Sequence, residues 1–345
     1  MKARLIDVAK LANVSRTTAF RVLSGEGNVK EDTYQRVMKA AEQLNYRPNR
    51  YARALRTKSS KVIGVVFSNL FSGHFYADIF KGIEDAAYAE GYTLILGSAD
   101  ENLVKEQKLL NSLVEHQVDG VIVAPMDKKG RKSFETFKKE NTPIVFVDKY
   151  IEGFPADRVV TDNWLGGKLV AEYLWSLGHK DIAFCKGVGW NNTSTYFREQ
   201  GFVSCLKKQG VNSLEGITFP RSLDNAMEYG YQAVKKRLEQ GSVSFTAIFC
   251  FTDNIAAGCV YALLKAGFRI PEDISVVGYN DDDFCKYHPI GLTTVAQPKY
   301  EMGKKAAELL LARCQGKGDA KYREITLRPK LVLRESCSVS PSAKM

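Results

Sequence analysis

The sequence predicts an α/β protein in which two doubly wound parallel-sheet halves follow a small, basic, all-helical domain. From residue 61 onward, apolar runs of strand length alternate with helical patterns. Continuous apolar strands of this kind are typical of parallel sheets that helices cover on both faces. At least seven such runs occur in about 280 residues, which fits two sheets better than one. Residues 1–61 carry instead three short amphipathic patterns and most of the excess positive charge.

Residues 5–45 predict three helices. The stretch "IDVAKLA" gives the first helix, and "NVSRTTAFRVLSG" follows after a turn of about three residues, with Ser15 as the N-cap. The third helix is "KEDTYQRVMKAAEQLNY". This order is the helix-turn-helix arrangement, although any small three-helix bundle shows the same periods. Arg16, Thr17 and Arg21 project outward from the second helix, and their donors suit base edges and phosphates in a DNA major groove.

The positive charge is concentrated at the N-terminus. The chain has a formal net charge of +10, and residues 1–61 hold 14 Lys plus Arg against 5 Asp plus Glu. The remaining residues hold 35 against 34. A nearly neutral body with a basic N-terminal module indicates an anionic polymer as partner, most often nucleic acid. A solvated basic arm is the alternative on charge alone.

Several classes of protein are disfavoured. No apolar stretch is long enough to cross a membrane and no signal-peptide core is present, so we expect a cytoplasmic protein. The seven cysteines form no CxxC pair and no metal-ligand spacing, which predicts reduced, buried thiols. No GxGxxG follows the first strand, no Walker A loop occurs, and the four histidines lie on separate elements. We therefore predict no enzyme, no metal and no cofactor.

The core elements can be placed by their patterns. The predicted strands lie in "KVIGVVFSN", "YTLILGSA", "DGVIVAP", "TPIVFVDK", "KDIAFCKG", "FTAIFCF" and "DISVVGYN". The predicted helices span residues 75–90, 101–117, 163–177, 195–210, 225–240, 253–266 and 298–314.

These motifs together resemble the LacI/GalR family of bacterial transcriptional regulators. The resemblance is carried by "IDVAKLANVSRTTAFRVLSG", "VKEDTYQRVMKAAEQLNYRPNRYARALRTKSSKVIGVV", "TDNWLGGKLVAEYLWSLGHKDIAF", "RIPEDISVVGYND" and "LTTVAQPKYEMGKKAAELL", and it covers about residues 3–335. It implies a helix-turn-helix head, a hinge helix and a core like that of periplasmic sugar-binding proteins. It also implies a homodimer on a palindromic operator, most often a repressor, whose DNA affinity is set by a small effector in the core cleft.

The resemblance also implies a domain plan. Residues 1–47 would form the DNA-binding domain and residues 48–60 the hinge helix and linker. Residues 61–338 would form the core, with an N-subdomain of about 61–161 and 293–325 and a C-subdomain of about 162–292 and 326–338. The chain ends soon after "LVLRES" without leucine heptads, which favours a dimer over a tetramer.

Carried over by position, the DNA contacts of the head fall on the second helix: Ser15, Arg16, Thr17, Thr18, Phe20 and Arg21. Ser15 and Thr18 would contact phosphates at the helix start. Phe20 departs from the small polar residue of most relatives. It would either pack on a thymine methyl or the sugar backbone, or cover the surface of the bundle.

The hinge segment "RYARALR" is about two turns long and follows Pro48. Isolated helices below ~12–15 residues are marginal in water, so we expect this one to form only against a partner helix and DNA. The resemblance places Leu55 as a wedge in the minor groove at the centre of the operator. The expected DNA contacts of the hinge are Asn49, Arg50, Ala52, Arg53, Leu55 and Arg56.

The resemblance places eight residues in the effector cleft: Phe75, Tyr76, Asp148, Asn192, Ser194, Arg198, Asp253 and Asn280. Phe75 and Tyr76 would offer aromatic faces, or else pack in the core at a helix start. Asp253 is either a cleft ligand or a helix N-cap, and the cap is favoured.

The chemistry of these residues suits a neutral sugar, a sugar acid or a purine-like ring. Asn280 stands where relatives mostly carry Asp, and Lys149 and Lys186 lie near strand ends, which slightly favours an anionic effector. A sugar or sugar derivative is the expectation from the family. A periplasmic-type sugar-binding protein is the alternative function, but it would not need a basic helix-turn-helix head.

Overall fold

The structure is a computed structural model, and it describes residues 3–24, 29–46, 59–70, 74–126, 133–187, 192–211, 214–219, 225–241 and 243–341. The chain divides into two compact units, Met1–Lys61 and Val62–Met345. Among the described residues, no helix has the length and apolar character needed to span a bilayer.

The described residues of the first unit form three helices, α1 Leu5–Leu11, α2 Arg16–Ser24 and α3 Glu31–Gln43. They bury a small aliphatic core of Val8, Ala9, Ala12, Ala19, Val22, Val37, Ala40 and Ala41. Asn13 has a φ of 51° in the turn between α1 and α2, and Asn is one of the few non-glycine residues that tolerate this region. The Arg36 guanidinium donates to the Ala12 carbonyl oxygen at 3.2 Å and so ties α3 to that turn.

The N-subdomain is built on a six-stranded parallel sheet in the order β11-β5-β4-β3-β1-β2, in which β11 is Glu324–Leu327. Its first five strands are β1 Val62–Phe67, β2 Thr93–Ser98, β3 Gly120–Ala124, β4 Ile144–Val147 and β5 Asp157–Thr161. The helices between them are α4 Phe75–Ala89, α5 Leu103–Glu115 and α6 Glu135–Lys139. Successive strand residues face opposite helical layers: Val65 packs with α4, whereas Val66 packs with α5.

The C-subdomain repeats the plan with a four-stranded parallel sheet in the order β7-β6-β8-β9. Its elements are α7 Asn163–Ser176, β6 Ile182–Gly187, α8 Thr193–Lys208, β7 Leu214–Phe219, α9 Ala226–Glu239, β8 Ala247–Cys250, α10 Asp253–Lys265, β9 Ser275–Val277 and α11 Phe284–Tyr287. The predicted fold class is confirmed, and the ends of the seven predicted core helices lie within two residues of the observed ends.

Within the described residues, the chain crosses between the subdomains three times. The first crossing runs from Thr161 of β5 to Asn163 of α7. The next elements are β10 Thr294–Ala296, α12 Lys299–Cys314, β11 Glu324–Leu327 and β12 Lys330–Val332. The Gly278 and Asn280 amides donate to the carbonyl oxygens of Thr293 and Val295, each at 2.9 Å, which joins β10 to the second sheet. β11 pairs with β5 from Glu324 to Leu327, which places this strand in the first sheet. The expected subdomain bounds stay predictions.

In the described part of the core, three helix pairs approach closely through reciprocal glycines. A Cβ added to Gly201 of α8 would lie 1.9 Å from the Trp164 carbonyl oxygen, and one added to Gly167 of α7 would lie 2.0 Å from the Arg198 carbonyl oxygen. Gly82 and Gly303 allow the same close approach between α4 and α12, and Gly230 and Gly258 allow it between α9 and α10. A Cβ added to any of these four glycines would lie 1.8–2.1 Å from a backbone oxygen of the facing helix.

We predict that Gly201→Ala destabilises the core by about 1–3 kcal/mol, because the new methyl group meets backbone that cannot move aside. Gly97→Ala is the matched control, since its nearest atom is the flexible Leu109 side chain at 3.0 Å. Thermal and denaturant unfolding would measure both variants. Equal loss in the two variants would contradict the proposed role of backbone contact.

Candidate functional site

The second helix of the head presents a polar, basic surface. Arg16, Thr17 and Arg21 are exposed, whereas Thr18 and Phe20 are half-buried. Ala19 and Val22, on the opposite side of the helix, are buried in the three-helix core. One face of α2 therefore packs in the three-helix core, and the opposite face is exposed and available to a ligand.

The start of α2 is fixed by Ser15. Its hydroxyl oxygen accepts the Thr18 backbone N–H at 3.0 Å, which confirms the predicted N-cap. The two hydroxyl groups of Ser15 and Thr18 also lie 2.9 Å apart as a hydrogen-bonded pair. This cap holds the first turn of the helix, where free backbone amides favour an anion.

The predicted hinge contacts lie outside the described residues. These are Asn49, Arg50, Ala52, Arg53, Leu55 and Arg56. Their roles stay predictions.

In the core, Tyr76 and Asp148 form one buried pair at the carboxyl ends of the first sheet. The Tyr76 hydroxyl donates to Asp148 Oδ2 at 2.9 Å and lies 3.2 Å from Ser68 Oγ. Burial, followed by the nearby Asp148 charge, raises the pKa of Tyr76 well above its usual value, so the phenol stays protonated. Phe75 is half-buried and meets Tyr76 edge to face at 5.1 Å between ring centroids.

Asp148 also links the two subdomains. The Ser194 hydroxyl, on α8 of the C-subdomain, lies 2.7 Å from the Asp148 carbonyl oxygen and 3.1 Å from its Oδ1. Asp148 has a φ of 65°, a strained conformation for a non-glycine residue that is often found at functional sites. Asn192 caps α8 by accepting the Thr195 N–H at 3.0 Å, so part of its polar capacity is used within the helix.

The most densely bonded part of the site surrounds Arg198. Its Nε and Nη2 donate to Asn163 Oδ1 at 3.2 and 2.8 Å, and its Nη1 donates to the Phe251 carbonyl oxygen. The guanidinium carbon lies 3.4 Å from the centroid of the Tyr279 ring. The Tyr279 hydroxyl donates to the same Asn163 oxygen at 3.1 Å. Burial lowers the pKa of Arg198 and raises that of Tyr279 to about 12.

Sequence reasoning missed Asn163 and Tyr279. The available signal was position: Asn163 follows the strand "DRVVT", and Tyr279 follows "SVV", so both lie at carboxyl ends of parallel strands. Ligands of doubly wound sheets bind at these ends.

Asp253 is not the N-cap of α10, and the favoured interpretation was wrong. Thr252 is the cap, because its hydroxyl accepts the Ile255 N–H at 3.3 Å. The fully buried Asp253 carboxylate instead accepts the Thr294 hydroxyl and the Asp282 backbone N–H. Asp253 therefore joins α10 to the segment after β9 and to β10.

Asn280 is buried in the same region with a φ of 125°, and its Oδ1 accepts from Gln297 Nε2 at 2.8 Å. Gln297 Oε1 is buried and has no hydrogen-bond partner among the described residues. Such an unmet acceptor favours a ligand or water that donates a hydrogen bond.

An ion-pair cluster lies beside this site, in which Lys299 and Asp282 are buried and Asp78 is exposed. Lys299 Nζ lies 2.8 Å from Asp78 Oδ2 of the N-subdomain and 3.4 Å from Asp282 Oδ1 of the C-subdomain. Burial lowers the pKa of Lys299, but the two carboxylates more than offset this effect, so the pKa is raised overall. Lys186, one of the two lysines taken to favour an anionic effector, is paired with Glu199.

A helix-turn-helix unit followed by two parallel-sheet subdomains, with polar groups gathered at their strand ends, defines a DNA-binding regulator with a ligand-binding core. Comparison with known proteins supports both parts. Residues 4–49 match the bacterial regulatory proteins, lacI family, and residues 171–337 match a periplasmic binding protein-like domain.

Similar proteins match along the whole chain. The HTH-type transcriptional repressor PurR of Actinobacillus pleuropneumoniae serotype 3 is 33% identical over 335 residues, which are 97% of this chain and 98% of that protein. The ribose operon repressor of Haemophilus influenzae is 31% identical over 334 residues, also 97% of this chain and 98% of that protein.

Solved structures agree. The lac repressor dimer bound to operator and the anti-inducer ONPF has a TM-score of 0.86 at 28% identity, covering 98% of this chain and 100% of that chain. A LacI family regulator from Enterococcus faecium with bound ribose has a TM-score of 0.71 at 32% identity, covering 81% and 99%. The chain therefore belongs to the LacI family and is a DNA-binding transcriptional regulator, not an enzyme.

The buried carboxyl of Asp253 leads to a pH prediction. Burial, and next the Asp282 charge, raises the pKa of Asp253 from 3.8 to about 6. The folded protein thus binds this proton more tightly than the unfolded chain, so stability falls as pH rises from about 4 through 6. Relative to Asp253→Asn, the unfolding free energy of the unmodified protein should fall by about 2 kcal/mol between pH 4.5 and 7.5.

Denaturant unfolding at the two pH values would measure this difference. Asn can accept from the Asp282 amide and donate to Thr294, whose hydroxyl can turn. Asp273→Asn is the control: its hydrogen bonds to Arg269 lower the Asp273 pKa to about 2, so its effect should be constant over this range. The prediction would be contradicted if the difference in unfolding free energy between the unmodified protein and Asp253→Asn were also the same at both pH values.

Proposed function

We propose that this protein is a repressor that binds a palindromic operator as a homodimer, and that a small sugar in the core cleft controls its DNA affinity. The observation that carries the DNA part is the exposed row Arg16, Thr17 and Arg21 on a capped helix whose other face is buried. In the matching lac repressor structure a dimer is bound to operator. A cytoplasmic location accompanies this function.

For the head, we propose that Arg16, Thr17 and Arg21 contact base edges, with Ser15 and Thr18 at phosphates. Phe20 leaves part of its ring exposed, which would allow apolar contact with a thymine methyl or the sugar backbone. The hinge, residues 48–60, would place Leu55 in the minor groove between two subunits. Residues 1–47 and 61–338 are the proposed DNA-binding and effector-binding domains.

For the effector, the balance of charges supports a neutral ligand. The described ionisable groups around the site include three cations, Arg198, Lys149 and Lys299, and four carboxyls, Asp78, Asp148, Asp253 and Asp282. A bound anion would add negative charge to a site whose cations are already matched by carboxyls, whereas a sugar offers hydroxyl donors and acceptors without a net charge. Asp148 and the unmet Gln297 oxygen would accept from sugar hydroxyls, and Arg198 would donate to a sugar oxygen.

Ribose is the leading candidate within this class. A ribose operon repressor is 31% identical to this chain, and a family member 32% identical to it contains bound ribose. Tyr76, with Phe75 beside it, could pack on the sugar ring. We propose Asn192, Ser194, Asp253 and Asn280 as further effector contacts or supports of the cleft.

The DNA proposal is tested by Arg16→Ala. Loss of base contacts should weaken operator binding about 5- to 150-fold, with a smaller loss on random DNA. Lys39→Ala is the control: it removes one charge from an exposed position on α3 in the same unit. It should weaken binding to operator DNA and to random DNA slightly and to the same extent. Fluorescence anisotropy at fixed salt would measure each affinity. Equal losses on operator and random DNA for Arg16→Ala would contradict a base-reading role.

The effector proposal is tested by thermal shift with D-ribose, other pentoses, hexoses, ribose 5-phosphate, gluconate and purine bases. A neutral sugar should raise Tm, because a ligand that binds only the folded state stabilises it. The same sugar should change operator affinity. A shift with phosphate esters, sugar acids or purines alone would contradict the neutral-sugar assignment.

A further inference from the structure

We propose that Asn163 is a positioning residue that orients the Arg198 guanidinium for the effector and ties that orientation to the crossover between the subdomains. This inference rests on the effector site proposed above, and it adds a residue that contacts the arginine rather than the ligand.

The Asn163 side chain is a node of the hydrogen-bond network: its oxygen atom accepts hydrogen bonds and its nitrogen atom donates one. Its Oδ1 accepts from Arg198 Nε at 3.2 Å, from Arg198 Nη2 at 2.8 Å and from the Tyr279 hydroxyl at 3.1 Å. Its Nδ2 donates to the Thr161 carbonyl oxygen at 3.2 Å. Three donors on one side and one acceptor on the other determine which way the amide points.

The node lies on the first chain crossing. Thr161 ends β5 in the six-stranded sheet, and Asn163 begins α7 of the C-subdomain. A change in the angle between the subdomains must bend the chain here, so it would also move the acceptor that holds Arg198. Conversely, a ligand that fixes Arg198 would resist that bend.

Packing leaves the node little freedom. A Cβ on Gly166 would lie 2.1 Å from the Tyr279 hydroxyl oxygen, and the Gly167 and Gly201 contacts hold α7 against α8. Asn163 is itself 4% exposed and Tyr279 is fully buried. Neither side chain can turn to another partner without disturbing this packing.

An amide suits this position for an electrostatic reason. The hydrogen-bond acceptors of Arg198 among the described residues are the Asn163 amide oxygen and the Phe251 carbonyl oxygen, and both are neutral. Aspartate at 163 would accept the same bonds but would also neutralise the guanidinium. Asparagine orients Arg198 and leaves its charge to attract an oxygen atom of the effector.

Helix capping does not account for Asn163. The N-cap of α7 is Asp162, whose side chain accepts the Leu165 N–H at 2.9 Å. Asp162→Ala is therefore a matched control: it weakens the same helix at the same crossing and leaves the Arg198 bonds in place.

The test compares Asn163→Asp, Asn163→Ala and Asp162→Ala with the unmodified full chain, using D-ribose as the probe in isothermal titration calorimetry. Both Asn163 variants should bind D-ribose at least about tenfold more weakly. Asn163→Asp should lower Tm less than Asn163→Ala does, because it loses the bond to the Thr161 carbonyl oxygen but keeps the acceptor for Arg198. Asp162→Ala should lower Tm and change the ribose Kd less than about twofold.

Unchanged ribose affinity in Asn163→Ala would overturn the inference, and so would affinity losses that parallel the losses of Tm in all three variants. If the unmodified chain does not bind D-ribose, the sugar assignment fails on its own. Crystal structures of the unmodified chain and Asn163→Ala then decide the inference. A guanidinium displaced from the Tyr279 ring in the variant supports positioning by Asn163, and an unmoved guanidinium overturns it.

Discussion

The hydrogen bonds that converge on the Asn163 carboxamide constrain the rest of the core site. A buried guanidinium is costly unless its donors are satisfied, and two of the three donor atoms of Arg198 are satisfied at the point where the chain passes from one sheet to the other. The site is therefore placed by the crossing itself. Ser194 with Asp148, and Lys299 with Asp78 and Asp282, add polar links between the subdomains nearby.

The close helix pairs explain why this arrangement is possible. Gly167 and Gly201 allow α7 and α8 to touch through backbone atoms, which brings Asn163 within reach of Arg198. Asp148 and Asn280, which lie just beyond strand ends, adopt positive φ values that are strained for non-glycine residues. Regulation would then change the angle between two stiff subdomains by a small amount. The polar links between them, Ser194 with Asp148 and Lys299 with Asp78 and Asp282, would be the contacts that rearrange.

Much of this could be predicted from the sequence, and the failures have physical causes. Six of the seven apolar runs form largely buried strands, and the seventh, β2, is a half-exposed edge strand. The strands "DRVVT" and "LEGITF" were missed because charged or polar residues interrupt their short patterns. In α1, Val8, Ala9 and Ala12 contact the three-helix core, whereas Leu11 is 50% exposed. Phe75, Tyr76, Asp148, Ser194 and Arg198 could be proposed from family position. Asn163, Tyr279 and the true cap Thr252 depend on which buried donors meet which acceptors, and spacing along the chain does not contain that information.

The most direct test of this account is a double-mutant cycle on D-ribose binding with Asn163→Ala, Tyr279→Phe and the double variant. If both residues act by holding Arg198, the Tyr279 hydroxyl matters only while Asn163 is present to accept from it. The account predicts a coupling free energy of about 1 kcal/mol or more. Effects that add to within about 0.3 kcal/mol would contradict it, because the two side chains would then act independently of each other.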